Sequence, residues 1–281
     1  MIVVCPNPFR DSDLTITKEL DNMLRGAGYE TMICPVFADD EPEILPADLA
    51  YRPLSDIGKD CTLVIVVGGD GTILAVVRAL HGLSVPLLGV NLGTKGFMTA
   101  LEPEDISYAL KAARGEMEIS RRMMLDVSLR RDGKILYTDH ALNDAVIHGY
   151  GDCIQLTASC SGKTMTSFSG DGIVLATPTG STGYSMSAGG PIVEPDAANI
   201  ILSPICAHRM VSRSFVLDSR RTVVVKAEKL HVRRAYLSVD GNSVADLMNG
   251  DEILVKRSPH ETLMADMGLK TFYEMAFEKL I

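Results

Sequence analysis

Residues 63–67, Leu-Val-Ile-Val-Val, form an unbroken apolar run that closes on Gly68-Gly69-Asp70-Gly71-Thr72 and is followed by a helical pattern over 72–80. A run of this length without polar alternation marks a strand buried on both faces, the habit of a parallel sheet. Parallel strands need a crossover connection, and the helix supplies one. The neighbouring sequence repeats the arrangement. Residues 2–5 read as a strand ended by Pro6; Ile16, Leu20, Met23, Leu24 and Ala27 then recur at helical spacing, with Gly28 as the stop. Residues 31–36 and 86–90 read as further strands, and the acidic, proline-containing stretch 37–53 as a loop. Alternating strands and helices predict a Rossmann-like α/β domain.

From about residue 120 the pattern changes. Residues 125–130 and 135–138 flank Asp132-Gly133, a strong hairpin signal. Residues 154–160 and 164–168 flank Ser161-Gly162-Lys163, and 223–227, 235–239 and 252–256 add more strands. This half is expected to be an antiparallel β-sandwich. Residues 270–281 turn helical again, with Phe272, Met275, Ala276 and Leu280 on one face, and are expected to return to the first domain. The expected division is 1–100 with about 266–281, and 101–265.

Composition narrows the function. An apolar content of 46% permits a sizeable core, and a net charge of −9 argues against gripping nucleic acid, which needs clustered Lys and Arg. No apolar run reaches membrane-span length, and residues 1–9 lack a positive start and a cleavage-like site. The six cysteines are dispersed without a C-x-x-C pair, which predicts buried, reduced thiols and a cytoplasmic protein.

Three segments carry chemistry. The Gly68–Thr72 segment lies at the carboxyl end of a buried strand, where open α/β sheets bind ligands. Glycines there let backbone approach phosphates, and a helix start offers free N–H groups. Asp70 reads either as an N-cap of a tight turn or as a metal partner or base. Residues 177–187 include eight Gly, Ser or Thr among eleven, too few apolar groups for a core but suited to a polar ligand. Asn143-Asp144 interrupts an apolar run and reads as a turn or a ligand contact.

Taken together, Gly-Gly-Asp-Gly-Thr, the Asn-acid pair and residues 177–190 resemble the NAD kinase family in order and spacing. Residues 89–93 with Gly96-Phe97, residues 204–217, and Ser-Val-Asp-Gly-Asn at 238–242 are similar to family segments too. The likeness spans essentially the whole chain. Gly-Gly-Asp-Gly is shared with diacylglycerol kinases and phosphofructokinases, whereas Thr-Pro-Thr-Gly-Ser-Thr-x-Tyr is much more specific.

The resemblance implies phosphorylation of NAD(H) to NADP(H) by ATP or polyphosphate with a divalent cation, Mg²⁺ or Mn²⁺, carried in with ATP. It implies Asp70 as acceptor of the proton of the adenosine ribose 2′-hydroxyl, with Gly68, Gly69, Gly71 and Thr72 beside it and Phe97 stacking near the adenine. Asn143 and Asp144 would hold NAD around its ribose and amide groups. Asp171, Thr179, Thr182, Gly183, Tyr184, Ser185, Met186 and Ser187 would line the dinucleotide site, with Asp240 and Asn242 as late contacts. It further implies a homodimer or homotetramer, with no membrane and no nucleic-acid partner. The chain departs from the family in Asp144 for Glu, Gly183 for Ala, Ser169 for a basic residue and Asn242 for Gln.

Overall fold

The computed structural model describes residues 1–36, 45, 50–80, 82–93, 96–208 and 213–280. Its first elements are β1 (Ile2–Pro6), α1 (Thr15–Gly26), β2 (Thr31–Ile33), β3 (Leu63–Gly68), α2 (Asp70–Ala79), β4 (Pro86–Asn91) and α3 (Ala109–Ala113). A strand-rich stretch follows: β5 (Glu118–Arg131), β6 (Lys134–Ala141), β7 (Asp144–Gly149), β8 (Ile154–Cys160), β9 (Lys163–Gly170) and β10 (Gly172–Ala176). After the short helix α4 (Tyr184–Ser187) come β11 (Asn199–Ile205), β12 (Phe215–Asp218), β13 (Val223–Glu228), β14 (Ala235–Val239), β15 (Asn242–Leu247), β16 (Glu252–Asp266) and α5 (Phe272–Leu280).

The chain divides into two units, Met1–Arg121 with Thr262–Ile281, and Arg122–Glu261. In the first, β2-β1-β3-β4 pair in parallel, and the end of β16 joins β4 through Leu263 and Met264. β3 is buried along its whole length, as its apolar run requires. Leu20 and Leu24 of α1 and Ala109 and Ala112 of α3 pack with Ile65, Val67 and Leu88 in one core. α1 starts under Asp11, whose carboxylate accepts from the amides of Ile16 and Thr17 and from the Thr17 hydroxyl. The first unit runs past residue 100, the expected boundary, to Arg121. The reason is that Ile106, Ala109 and Ala112 bury themselves in its core. β2 is shorter than expected, and most of the expected loop 37–53 lies outside the described residues.

The second unit is a β-sandwich. One sheet runs β9-β8-β13-β16-β5-β6 and the other β12-β11-β10-β7-β14-β15. Leu125, Phe168, Val225 and Ile253 of the first meet Ile147, Ile173, Leu175 and Leu237 of the second in a common core. The Asp132-Gly133 hairpin forms as expected, with both residues at positive φ (49° and 77°), the type I′ geometry that suits strand twist. β11, β12 and β15 were not signalled in the sequence: β12 and β15 are short and of mixed polarity, and the apolar run of β11, Ile200-Ile201-Leu202, is only three residues long before Ser203-Pro204. The expected burial of all six thiols needs correction. Cys5, Cys34 and Cys61 are buried, and burial pushes the Cys34 thiol up to about 12, but Cys153 and Cys160 are half-buried and Cys206 is exposed. Cys206 sits at the end of β11 with φ 46°, in a turn rather than in the core. Among the described residues no helix is long and apolar enough to cross a membrane.

One buried ion pair fastens the sandwich. Asp251, fully buried, accepts from Arg131 Nε at 2.8 Å and Nη2 at 2.7 Å and from the Met248 amide at 2.8 Å. Removing Asp251 costs the charge-assisted bonds from the part-exposed Arg131 and leaves the Met248 amide without its acceptor, together about 1.5–3 kcal/mol. Asp251→Ala is therefore expected to lower unfolding stability by about 2 kcal/mol, read from the midpoint of a urea titration at unchanged slope.

Candidate active site

In the first unit the chemistry collects at the carboxyl end of β3. Gly68 ends the strand, Gly69 is the N-cap residue of α2, and Asp70 is the first residue inside the helix. The Thr72 hydroxyl folds back over this turn, accepting from Asn7 Nδ2 at 3.0 Å and from the Gly69 amide at 3.3 Å. A Cβ on Gly68 would lie 2.4 Å from that hydroxyl, so glycine is forced at 68 by the turn itself. At Gly71 a Cβ would meet nothing within 4 Å, so no packing demands glycine there and the backbone stays open to a ligand.

Asp70 does not cap its own helix. Its Oδ2 accepts from the Phe97 amide at 2.9 Å and its Oδ1 from the Met98 amide at 3.1 Å. Two backbone donors fix the carboxylate's orientation, while each oxygen keeps capacity for another partner. Phe97 thus enters this half of the site through its backbone amide. Two further contacts brace the loop: Gly93 N–H donates to Asn91 Oδ1 at 3.0 Å, and Asn91 Nδ2 donates to Glu102.

In the second unit the chemistry collects where β7 begins. Asp240 and Gly241 form the two-residue turn between β14 and β15, with φ of 46° and 81°. The Asp240 carboxylate accepts from the amides of Leu142 (2.7 Å), Asn143 (2.8 Å) and Asp144 (2.9 Å), which stitches that turn to the start of β7. Thr177 ties the same corner from the other side, its hydroxyl donating to the Leu142 carbonyl and accepting from the Gly180 amide. A Cβ on Gly180 would lie 2.2 Å from the Asn143 carbonyl oxygen, so only glycine allows the 177–183 segment to lie against Asn143.

Among the described residues, Asn143 Oδ1 and Thr179 Oγ1 in this corner are buried and make no hydrogen bond. The Asp144 side chain is 6% exposed, and burial, followed by the charge of Asp240, pushes its carboxyl up to about 7. Burial also raises Asp240, but its three amide bonds oppose that rise by favouring the anion. Of the two acids, Asp144 is the one that takes the proton.

The remaining residues flagged in the sequence fall into two kinds. Ser185 is fully buried and bonds the Ser203 hydroxyl at 3.2 Å, and the Thr182 hydroxyl donates to the Thr179 carbonyl at 3.3 Å, so both hold the loop. Asn242 turns its side chain back on its own hairpin, toward the carbonyls of Val239 and Asp240. Tyr184 is 39% exposed and Ser187 exposed, while Met186, Gly183 and Asp171 are half-buried. The Asp171 carboxylate bonds the Cys206 thiol and raises it. Met98, Asn7 and Thr177 serve these two centres without having been singled out as site residues. Met98 acts by its backbone alone, which no residue type signals.

Comparison with known proteins follows the same two parts. Residues 11–115 match the model of the ATP-NAD kinase N-terminal domain and 142–267 that of the ATP-NAD kinase C-terminal domain. An NAD kinase of Natranaerobius thermophilus is 38% identical over 98% of this chain and 96% of its own length, and one of Aquifex aeolicus 39% identical over 79% and 82%. Among solved structures, yeast NADH kinase complexed with NADH superposes with a TM-score of 0.85 at 27% identity, covering 100% of this chain and 87% of its own. An NAD kinase from Archaeoglobus fulgidus in complex with ATP gives 0.77 at 26%, covering 100% and 98%. With both domain models matched and relatives above one-third identity along nearly the full length, the chain belongs to the ATP-NAD kinase family.

Proposed function

We propose that this chain transfers the γ-phosphoryl group of ATP to the 2′-hydroxyl of the adenosine ribose of NAD(H), giving NADP(H) and ADP, with Asp70 as the proton acceptor. The observation that carries this reading is the Asp70 carboxylate, fixed by two backbone amides at the carboxyl end of β3 rather than consumed as a helix cap. The ribose hydroxyl gives its proton to Asp70 as its oxygen attacks phosphorus, and the bond to the ADP oxygen breaks in line. Positioning and electrostatics supply most of the acceleration in such a transfer. The open backbone at Gly71 and the start of α2 suit a phosphate chain.

A divalent cation, Mg²⁺ or Mn²⁺, would neutralise charge on the triphosphate. The donor set suits one that arrives on ATP and keeps its waters. Among the described residues no cluster of three His, Cys, Asp or Glu could cage it, and Asp70, with lone pairs beyond its two amide bonds, is the acid we would expect to face it. The two solved relatives carry NADH and ATP, the two substrates this reaction joins. In the second unit Asn143 Oδ1, Thr179 Oγ1 and the Asp144 carboxyl supply unspent hydrogen-bonding capacity, and we assign it to NAD(H). The reading includes a cytoplasmic location and a homodimeric or homotetrameric assembly.

The decisive experiment mixes the protein with NAD, ATP and Mg²⁺ and detects NADP. Asp70→Asn keeps size and the ability to accept one amide but removes the base. It is expected to lower kcat by about 10²–10⁴-fold while leaving NAD binding within a few-fold; near wild-type kcat would make Asp70 a spectator.

Asp144→Ala is expected to raise KM for NAD by roughly one to two powers of ten, the usual worth of a hydrogen bond to a charged group, with Asp144→Glu tolerated. A kcat/KM within about threefold of wild type in the Ala variant would make Asp144 a turn residue.

Asp144 also sets a pH dependence of stability. Its carboxyl titrates near 4 in the unfolded chain and at about 7 when folded, so the folded state binds more protons between those values. Stability attributable to this group is fully present below about pH 4, falls as pH rises towards 7, and is lost above it. Thermal melting should therefore show Asp144→Asn gaining on wild type at pH 8 and losing that advantage below pH 4. An equal gap at both pH values would mean that folding leaves this carboxyl's affinity for a proton unchanged.

A further inference from the structure

We propose that Lys279, near the C-terminal end of α5, is a positioning residue for phosphoryl transfer, acting on Asp70 through the Gly96–Phe97 peptide. The inference rests on the reading of Asp70 as the base. The Lys279 ammonium donates to the Gly96 carbonyl oxygen at 2.5 Å. The next amide, that of Phe97, donates to Asp70 Oδ2 at 2.9 Å. A carbonyl and the N–H that follows it belong to one planar unit, and in the trans form they point in opposite directions. Lys279 and Asp70 therefore grip the two ends of one rigid plate.

This clamp does two things. It fixes the plate's rotation, and with it the direction of the N–H that orients the Asp70 carboxylate. It also polarises the peptide, because a cation on the carbonyl oxygen strengthens the N–H as a donor. The plate sits in a tight seat: a Cβ on Gly96 would lie 2.2 Å from Thr99 Oγ1 and 2.9 Å from the Asn91 side chain. Asn91 in turn is held by Glu102 and by the Gly93 amide. At the other end of the lever, α5 is braced along its own length before it reaches Lys279. Thr271 and Glu274 form a reciprocal cap at its start, and Lys270 pairs with Glu278 at 2.7 Å. These contacts hold the helix that carries Lys279 in shape, and the Lys279–Gly96 bond joins it to the loop beside the base, although no residue of α5 belongs to a recognised motif.

The test uses the full chain with four variants: Lys279→Met, Lys279→Arg, Asp70→Asn and the double variant Asp70→Asn with Lys279→Met. NADP formation gives kcat and KM, and amide hydrogen exchange reports on Phe97 and Met98. Lys279→Met is expected to lower kcat about tenfold with KM for NAD and ATP within about twofold, since small misplacements of a catalytic group act on the transition state. Lys279→Arg, which keeps a cationic donor, should recover kcat to within about threefold. Exchange at Phe97 and Met98 should quicken in Lys279→Met and stay near wild type in Lys279→Arg. In the double variant, loss of Lys279 should add little to the loss of Asp70. Wild-type kcat in Lys279→Met beside an inactive Asp70→Asn overturns this inference and leaves the base standing. Full additivity in the double variant also overturns it, because Lys279 would then act by another route. Near wild-type kcat in Asp70→Asn overturns the reading beneath it.

Discussion

β3 is buried along its whole length, and that constraint decides where chemistry is possible in the first unit. A strand packed on both faces has no exposed side chains to offer, so any polar function must appear where it ends. Here it ends in two glycines and an acid at the start of a helix. Thr72 closes the turn from inside, leaving Asp70 free of capping duty. The loop after β4 then supplies the two amides that the carboxylate needs. One packing fact thus fixes the place, and local turn chemistry fixes the orientation.

The same division of labour appears in the second unit with different residues. Asp240 spends its carboxylate on three amides and becomes a structural rivet. Because that rivet binds residues 142–144, it places the Asn143 and Asp144 side chains without touching them. Thr177 and Gly180 complete the corner by a hydroxyl and by the lack of a side chain. Among the described residues, structural satisfaction of the backbone here leaves Asn143 Oδ1 and Thr179 Oγ1 buried without a partner, beside the buried Asp144 carboxyl. Buried polar groups without partners are uncommon, and two of them side by side with a buried acid are the basis for the proposed ligand contact.

Much of this was legible in the sequence, for physical reasons that differ by element. The run 63–67 and the Asp132-Gly133 turn were readable because each has few structural alternatives. β15 and β12 were not, because edge strands of mixed polarity look like loops until their partners are known. Asp70 stood out by its glycines, but whether it capped its helix or faced a ligand depended on two amides 27 and 28 residues away. Backbone donors such as Met98, and a lysine such as Lys279 far along the chain, leave no trace in residue type or spacing. Asp240 was assigned a ligand contact from its motif, while the geometry accounts for its carboxylate in protein hydrogen bonds.

The contrast between Asp144 and Asp240 shows how backbone donors decide which acid is available for binding. Both carboxyls lose water, and desolvation alone would raise both. Three amides return to Asp240 part of what water supplied and so oppose the rise that burial imposes. Asp144 accepts no hydrogen bond from the described residues and feels Asp240's charge besides, so burial leaves it disposed to hold a proton. Any hydrogen-bond donor brought against it would favour the anion that burial disfavours. Under the proposed reading, affinity for NAD(H) is then coupled to a proton. The pair works because the two acids are unequally solvated by the protein, an inequality set by the β14–β15 turn rather than by either side chain's intrinsic acidity.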